Sequence, residues 1–465
     1  MNRHIVAAIL LLEGLASAAL QMLAIRQVTG YVGSSILVTS IVISTFLAAL
    51  ALGYWRGGKS QTEKYRDVLV RNLVIAIGIF GIGLSYPVVD IVFSVMDGLT
   101  NGIPLIGHPL FHLFVFSWLI LAPLVFMLAQ TVPLLLHTTK TETSKSEAAG
   151  NLTALSTVGN VFGGLVTALI LLTLFGVGSS ILLNTIILFV ALVLAIEFKN
   201  RLHWIGVALS VFFLSLASVL NVVVERQLFQ VTTPYANIKI IQYGNDGGKA
   251  LLVNDQFASY TDDENRAWPY VEIMRTALKS MEPSEVLVLG AGGFTLSTDE
   301  ELHKHKFTYV DIDEKLLSVA ENYFLGHRIY GETVSEDARA YLLAREKLVD
   351  VIVIDLFSSG VMIPAHTATV EFFNLVKSRL KDNGLVMINI AANPMLNDDY
   401  SARIDKTIRS SLSRCVTDLS SFRDGLESLV YFCHGGEEKP AQVYRDDYEG
   451  VSIDAFLLAN MKDTK

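Results

Sequence analysis

The amino-acid sequence predicts two folds in one chain: a multi-pass α-helical membrane bundle of seven spans, followed by a Rossmann-like α/β domain with a small β-hairpin subdomain. The chain of 465 residues is 52% hydrophobic and only 17% charged. Residues 1–223 hold 11 lysines and arginines and 8 aspartates and glutamates, whereas residues 224–465 hold 25 and 37. In the second half, short apolar strands alternate with helices, which is typical of a doubly wound parallel sheet.

Seven segments of the first half are long and apolar enough to cross a bilayer, which takes about 20 residues. They lie at roughly 4–27, 34–55, 68–95, 109–137, 149–175, 178–197 and 203–223. Gly159 and Gly163, four residues apart in the fifth span, predict a close contact between two helices. Glu13 lies inside the first span and shares a face with Ser17 and Gln21. It predicts either an interhelical hydrogen-bond cluster or a contact to a polar or cationic substrate.

The second half begins with a hairpin and continues as alternating strands and helices. Residues 237–243 and 250–254 flank a Gly247-Gly248 turn and predict the hairpin. Strands are predicted at 286–290, 307–311, 349–355 and 385–390, with helices after residue 293 and at 313–323 and 367–380. Two further strands, at 415–420 and 428–433, predict a closing antiparallel pair. The predicted domains are thus a seven-span domain at 1–223, a β-rich subdomain at 224–278 and a Rossmann-like domain at 279–465.

Glycines and aspartates collect at the predicted carboxyl ends of the parallel strands, where such sheets bind ligands. Gly290, Gly292 and Gly293 follow the first strand and predict a close approach of a nucleoside to the backbone. Asp311 ends the second strand, 21 residues after Gly290, which is the expected place for a carboxylate on ribose hydroxyls.

Two more carboxylates follow in the same pattern. Asp337 is placed to accept a hydrogen bond from an adenine amino group, and Asp355 ends a strand and points to the reacting end of the donor. One such aspartate is often a helix cap, but three acids behind a glycine loop disfavour capping as their joint explanation. The loop lacks the third glycine of a dinucleotide-binding motif.

These segments resemble the polyamine aminopropyltransferase (spermidine synthase) family. The resemblance rests on Val-Leu-Val-Leu-Gly-Ala-Gly-Gly at 286–293, Val-Asp-Ile-Asp at 310–313, Glu-Asp-Ala-Arg at 336–339 and Val-Asp-Val-Ile-Val-Ile-Asp at 349–355. It extends to the family's seven-transmembrane branch. It implies that Asp311 holds the ribose, Asp337 the adenine, and that Asp355 is the catalytic base or orients the amine. The residues predicted to bind the amine acceptor are Tyr235, Asp263, Glu264, Tyr270, Glu272 and Ser358.

The chain departs from the family pattern at positions that matter for charge. Gly293 stands where the family has an aspartate that holds the aminopropyl ammonium, and the second carboxylate of Asp-Ser-Ser-Asp-Pro is absent from Asp355-Leu-Phe-Ser-Ser. Ala258 replaces a glutamine of the amine pocket and Val271 a histidine. These changes leave open whether the donor is decarboxylated or intact S-adenosylmethionine.

The predicted function is transfer of an aminopropyl or aminocarboxypropyl group to a small-molecule amine, with release of methylthioadenosine. The alternatives are a methyltransferase that uses S-adenosylmethionine and a non-catalytic membrane sensor or transport component. S-adenosylmethionine, intact or decarboxylated, is expected as co-substrate, without a prosthetic group or metal. The net charge of −9 argues against nucleic acid as a partner, the lipid bilayer is expected to be one, and a homodimer is left open.

The side of the membrane on which the soluble half lies is predicted from conflicting signals. Loops on the amino-terminal side carry ten lysines and arginines, whereas those on the opposite side offer only Arg26. By the positive-inside rule the soluble half would lie outside. The donor is made in the cytosol, however, and the prediction adopted is an inner-membrane protein with a cytoplasmic domain. Cys415 and Cys433 could face each other in a disulfide or remain two reduced, buried thiols, and the sequence leaves this open.

Overall fold

The computed structural model describes residues 1–33, 35–60, 65–100, 102–103, 105–137, 145–244, 247–357, 363–419 and 426–435. The chain divides into two units, one built on residues 1–32 and 36–235 and one built on residues 33–35 and the chain from Ala236 onward. The predicted boundaries at 224 and 279 fall on either side of this division and stay predictions.

The first unit consists of helices whose bounds follow the apolar segments of the sequence. Its α-helices are α1 (Arg3–Val32), α2 (Ile36–Gly58), α3 (Tyr65–Gly78), α4 (Tyr86–Thr100), α5 (Pro109–Phe116), α6 (Ala122–Ala129), α7 (Thr131–Leu136), α8 (Lys145–Val166), α9 (Leu172–Ala195), α10 (Arg201–Ala217) and α11 (Val224–Leu228), before the short strand β1 (Val231–Thr232). π-Helical segments lie at Ile79–Gly83, Ser117–Leu121, Thr167–Leu171 and Ser218–Val223.

Several of these helices could cross a membrane. Within the described residues, five are long and apolar enough, and a sixth is gained if the bent pair Tyr65–Gly83 and Tyr86–Thr100 counts as one span. One of the five, Ser146–Ala195, has 50 residues. At 1.5 Å per residue it would be about 75 Å long, more than twice a hydrocarbon core of about 30 Å. The backbone leaves the helical conformation at Gly176, between the predicted fifth and sixth spans. The count of seven spans stays a prediction.

The contact between α1 and α8 confirms the prediction made from the two glycines. A Cβ atom at Gly159 would lie 2.4 Å from the carbonyl oxygen of Leu11, and one at Gly163 would lie 2.1 Å from that of Leu15. No larger residue fits while the helix backbones stay this close. Glu13 is 3% exposed in the same interface and accepts a hydrogen bond of 3.0 Å from Ser156 Oγ. The interhelical hydrogen bond predicted for Glu13 is therefore present.

A buried carboxylate holds the end of the first unit together. Glu225 Oε1 accepts hydrogen bonds from the backbone N–H groups of Val177 and Gly178, from the hydroxyl of Tyr86 and from that of Thr232, all at 2.8–3.0 Å. These residues form the Glu225 node. The node satisfies donors that a helix start leaves without intrahelical partners. It also fixes β1, the last strand before the second unit.

The second unit contains two sheets and the helices between their strands. The small sheet contains β2 (Asn237–Gln242), β3 (Lys249–Val253) and β4 (Gln256–Thr261), paired antiparallel in that order. The remaining strands are β5 (Glu285–Leu289), β6 (Lys306–Asp311), β7 (Glu332–Ser335), β8 (Val349–Ile354), β9 (Leu380–Ala392), β10 (Leu412–Leu419) and β11 (Glu427–Gly435). The helices are α12 (Pro269–Lys279), α13 (Glu314–Val319), which continues as a π-helical segment at Ala320–Leu325, α14 (Ala338–Ala344), α15 (Val370–Lys377) and α16 (Asp399–Ser411).

The large sheet has the strand order β10-β11-β9-β8-β5-β6-β7. Strands β5 to β9 run parallel, whereas β11 pairs antiparallel with β9 and β10 pairs antiparallel with β11. The predicted parallel sheet with a closing antiparallel pair is confirmed. In this register Leu289 lies between Val310 and Ile354, so the residues that follow these three strands meet at one edge.

One predicted helix is absent among the described residues. After residue 293 the chain forms two short 3₁₀ turns, Thr295–Ser297 and Glu300–Lys304, instead of an α-helix. Thr298 Oγ1 donates to the carbonyl of Thr295, and Asp299 accepts from the N–H of Glu301. Such local bonds from short polar side chains compete with helical ones, which explains the difference.

The structure decides between the two states that the sequence left open for the cysteines. Cys415 in β10 and Cys433 in β11 form a disulfide. The bond lies where the register of the two strands shifts between Ser413 and Val416. Strand pairing that was itself predicted therefore brings the two sulfurs together.

Candidate active site

The glycine loop after β5 passes directly over the end of β8. Gly290 has φ = +85°, and a Cβ atom there would lie 2.2 Å from the carbonyl oxygen of Asp355. Its N–H donates to the carbonyl of Val310. Gly292 also has positive φ, at +50°. The loop thus needs glycine at Gly290 for two reasons, conformation and lack of space, and it brings bare backbone to the edge of the sheet.

Asp311 lies beside this loop, as predicted. Its Oδ2 accepts a hydrogen bond of 2.9 Å from the N–H of Ala291, and its Oδ1 accepts one of 2.9 Å from the N–H of Asp313. Burial raises the pKa of Asp311, and these backbone hydrogen bonds oppose the rise. An ionised carboxylate can accept about four hydrogen bonds. The geometry therefore fixes the carboxylate and leaves lone pairs for a diol such as that of ribose.

Asp337 caps a helix, a role that the sequence pattern disfavoured as the joint explanation of the three aspartates. It is the N-cap of α14: its Oδ1 accepts from the N–H of Ala340, and its Oδ2 lies 2.9 Å from Nε2 of His366. Although burial alone would raise the pKa of Asp337, the hydrogen bonds from Ala340 and His366 hold it below its usual value. The carboxylate is ionised and anchored. Its contact with adenine stays a prediction.

Asp355 follows β8 and is held by two neutral donors. The hydroxyl of Tyr270 donates to its Oδ2 at 2.9 Å, and the side-chain amide of Asn389 donates to its Oδ1 at 2.8 Å. Burial raises the pKa of Asp355 to about 6, and the two hydrogen bonds limit the rise. Burial and the nearby carboxylate raise the pKa of Tyr270 well above its usual value, so its hydroxyl stays neutral. Asp355 is thus ionised at neutral pH but close to taking up a proton.

Two carboxylates between β4 and the first turn of α12 are paired with arginines. Glu272 Oε1 accepts from Arg275 and from the N–H of Ala267, both at 2.7 Å. Asp262 accepts from Arg266 Nε at 2.6 Å, and these hydrogen bonds lower its pKa although burial alone would raise it. Both carboxylates neutralise arginines that fold the segment onto itself.

Of the described residues predicted to bind the acceptor, Tyr270 is the one that hydrogen-bonds Asp355. Asp263 is exposed beside the hairpin turn, where a Cβ atom at Gly247 would lie 2.6 Å from its Oδ2. Glu264 is exposed, and its Oε2 lies 3.6 Å from Nε of Arg266. Tyr235 ends the first unit and is 50% exposed. Ser358 lies outside the described residues.

The position of Gly293 is enclosed by side chains that the sequence pattern did not predict. Its N–H donates to Ser259 Oγ at 2.7 Å. A Cβ atom at Gly293 would lie 2.3 Å from the ring of Phe324 and 2.8 Å from the Cβ of Ser259. No side chain fits there without rearrangement. Asn389 was not predicted either, although one amide in the apolar run of β9, next to the strand that ends at Asp355, is a usable signal.

A small cleft lies beside Asp355. It has a volume of about 20 Å³ and is lined by Ser259, Tyr270, Val271, Met274, Leu296 and Asp355, among others. A larger cavity of about 490 Å³ opens near the amino ends of β5, β6 and β8. The small cleft is the better candidate site, because ligands of such sheets bind at the carboxyl ends of the strands and because Asp355 lies there.

The carboxyl-terminal half is similar in sequence to known proteins. Residues 271–442 match the family model for the spermine/spermidine synthase domain. Polyamine aminopropyltransferase 2 of Pseudomonas aeruginosa is 29% identical over 203 residues, which cover 41% of this chain and 56% of that protein. Polyamine aminopropyltransferase 1 of Streptomyces coelicolor is 24% identical over 469 residues, which cover 92% of this chain and 83% of that protein.

A solved structure of a probable spermidine synthase from Corynebacterium glutamicum aligns with 48% of this chain and 84% of its own, at 19% identity and a TM-score of 0.37. The carboxyl-terminal half thus has a Rossmann-like sheet and matches the spermine/spermidine synthase domain model over residues 271–442. A helical region precedes this domain, and the match spans about half the length of the Pseudomonas relative.

Proposed function

We propose that the protein is a membrane-attached transferase that moves an aminopropyl group from decarboxylated S-adenosylmethionine to an amine and releases methylthioadenosine. One observation carries the proposal: Asp355 is held by neutral donors at the carboxyl edge of the sheet and has a pKa of about 6. The family model and the names of both relatives support it. The apolar helices of the first unit support attachment to a membrane.

The reaction needs an amine lone pair placed close to the propyl carbon, and a proton acceptor. The amine nitrogen forms a bond to that carbon while the carbon–sulfur bond breaks, and the electron pair goes to sulfur, which becomes a neutral thioether. Asp355 takes the proton from the attacking nitrogen. Tyr270 and Asn389 hold the carboxylate in place throughout.

Two other transfers remain as second candidates because Gly293 replaces the expected aspartate. Without that negative charge, intact S-adenosylmethionine could bind and donate its aminocarboxypropyl group or its methyl group. Aminocarboxypropyl transfer also releases methylthioadenosine, whereas methyl transfer releases S-adenosylhomocysteine.

The test uses the full chain in lipid nanodiscs, incubated with each donor and a set of amines. We expect methylthioadenosine by chromatography, a loss of roughly 100-fold in turnover for Asp355→Asn with nucleoside binding retained, and a rate that falls below pH of about 6 as Asp355 is protonated. Asp350→Asn, on the same strand, should stay active. S-adenosylhomocysteine as the sole product would make the protein a methyltransferase, and no product with any amine would favour a sensor or transport role.

The side of the membrane also bears on the proposal. Donor supply predicts the cytoplasm, whereas the loop charges and the Cys415–Cys433 bond favour the outside. A reporter fused after Lys465 that is active only in the periplasm would place the soluble half outside, where a donor would have to be supplied.

A further inference from the structure

The cleft beside Asp355 contains very little negative charge for a site that is expected to take a polyamine precursor. Among the described residues that line it, Asp355 is the single carboxylate. Its neighbours in the cleft include Val271, Met274 and Leu296, whose side chains are apolar. Met274 is 2% exposed and Leu296 is 6% exposed. One carboxylate can neutralise one ammonium group.

Two carboxylates, Glu272 and Asp262, are close in sequence to residues that line the cleft. Neither can supply a second negative charge to the cleft without losing the contacts that it makes in the structure. Glu272 is bound to Arg275, whose guanidinium also donates to the carbonyls of Asn265 and Thr295. Arg275 is 3% exposed, so removal of its carboxylate partner would leave a buried charge uncompensated. Asp262 is itself bound to Arg266, whose side chain is exposed.

Two neighbouring positions in the sequence offer no substitute. Gly293 leaves no room for an acidic side chain, because Phe324 and Ser259 occupy the space. The sequence that follows Asp355 reads Leu-Phe-Ser-Ser-Gly-Val-Met at 356–362 and contains no acidic residue. Among the described residues that line the cleft, the second ammonium of a diamine would face only uncharged side chains, and an unpaired charge is costly in such surroundings.

We infer that the acceptor is an amine with a single ammonium group and an uncharged remainder, rather than a diamine. This inference rests on the proposed function and narrows its substrate class. The ammonium would be held by Asp355 before it loses its proton and reacts, and the uncharged remainder would contact Val271, Met274 and Leu296. Pentylamine and 1,4-diaminobutane are suitable probes, because they have equal lengths and differ by a methyl group in place of an ammonium.

The experiment measures binding rather than turnover. The full chain in nanodiscs is saturated with methylthioadenosine, and each amine is titrated by calorimetry at pH 8. We expect pentylamine to bind at least about 10-fold more tightly. Equal affinities, tighter binding of the diamine or no binding of either amine would overturn the inference. Product formation is measured separately with decarboxylated S-adenosylmethionine and tests the proposed function. The two tests are independent, because the calorimetric titration measures the relative affinity for the two amines and requires no reaction.

A charge variant provides a second measurement. Met274→Glu adds a carboxylate to the apolar wall and is expected to raise the affinity for 1,4-diaminobutane at least about 10-fold, whereas Met274→Gln, of the same size and uncharged, should leave the preference for pentylamine unchanged. A gain of diamine affinity in both variants would show that polarity, not charge, decides, and would count against the inference. If Met274→Glu does not fold, the wild-type titration still decides.

Discussion

Replacing Asp355 by asparagine should stabilise the protein while it removes activity. The carboxylate has a pKa of about 6 in the folded protein, against an ordinary value of 3.8. Between these values the folded state binds more protons than the unfolded state, so wild-type stability falls as the pH rises through this window. A difference of about two pKa units corresponds to about 3 kcal/mol. Asparagine has nearly the same shape and carries no charge to desolvate.

The assay is thermal unfolding of both proteins in nanodiscs between pH 4 and pH 8. We expect Asp355→Asn to unfold several degrees above wild type at pH 8, since 1 kcal/mol is worth roughly 2–4 °C in a domain of about 200 residues. The gain should shrink as the pH approaches 4, where Asp355 is protonated in the folded state. The hydrogen bonds to Tyr270 and Asn389 can persist, because an asparagine side chain both donates and accepts.

Asp350→Asn is the matched control on the same strand. Asp350 accepts from Lys381 at 3.0 Å and from the N–H of Glu285 at 2.9 Å, and these contacts lower its pKa although burial alone would raise it. Its replacement should therefore destabilise the protein at pH 8. Two results would contradict this reasoning: an unfolding temperature of Asp355→Asn below that of wild type at pH 8, or an increase in unfolding temperature that is the same at pH 4 as at pH 8. Either result would show that the buried, ionised carboxylate of Asp355 does not destabilise the folded protein.

Three further predictions address the nucleoside, the helix contact and the cysteines. Asp311→Ala should weaken methylthioadenosine binding by about 1.5–3 kcal/mol in calorimetry; an unchanged affinity would remove Asp311 from the site. Gly159→Leu should lower the unfolding temperature of the full chain, whereas Gly150→Leu, with nothing within 4 Å of its Cβ position, should not. Cys415 and Cys433, which are bonded in the structure, should resist a thiol-reactive tag in denatured, unreduced native membranes; two tagged thiols would contradict the bond and agree with a domain in the reducing cytoplasm.

The sequence predicts those parts of the site that depend on local pattern. Asp311 and Asp355 end apolar runs, and parallel strands bring such ends to one edge, so the pattern alone is enough to place both. Asn389 and Ser259 could not be placed in this way, because their roles depend on which strands are neighbours and in what register. Glu272 is the clearest example. In the sequence it is an acidic residue close to Tyr270, and only the structure shows that its carboxylate accepts a hydrogen bond from Arg275.

The capping role of Asp337 likewise depends on where a helix begins. A carboxylate just before a helix caps it whenever the helix starts at that point, and α14 does. The disulfide and the short turns after Gly293 likewise depend on strand register and on local side-chain bonds, which periodicity does not describe.

The Glu225 node determines where the chain can be divided. Residues from Leu228 to Tyr235 look like a spacer, yet Thr232 is bound to Glu225 and the carbonyl of Thr233 accepts from Arg26 Nε. A chain cut at residue 224, where the apolar sequence ends, would strip Val177 and Gly178 of their acceptor and carry an orphaned glutamate into the soluble fragment. Separate production of the two halves should instead use a break between Tyr235 and Ala236, with every partner of the node left on the amino-terminal piece.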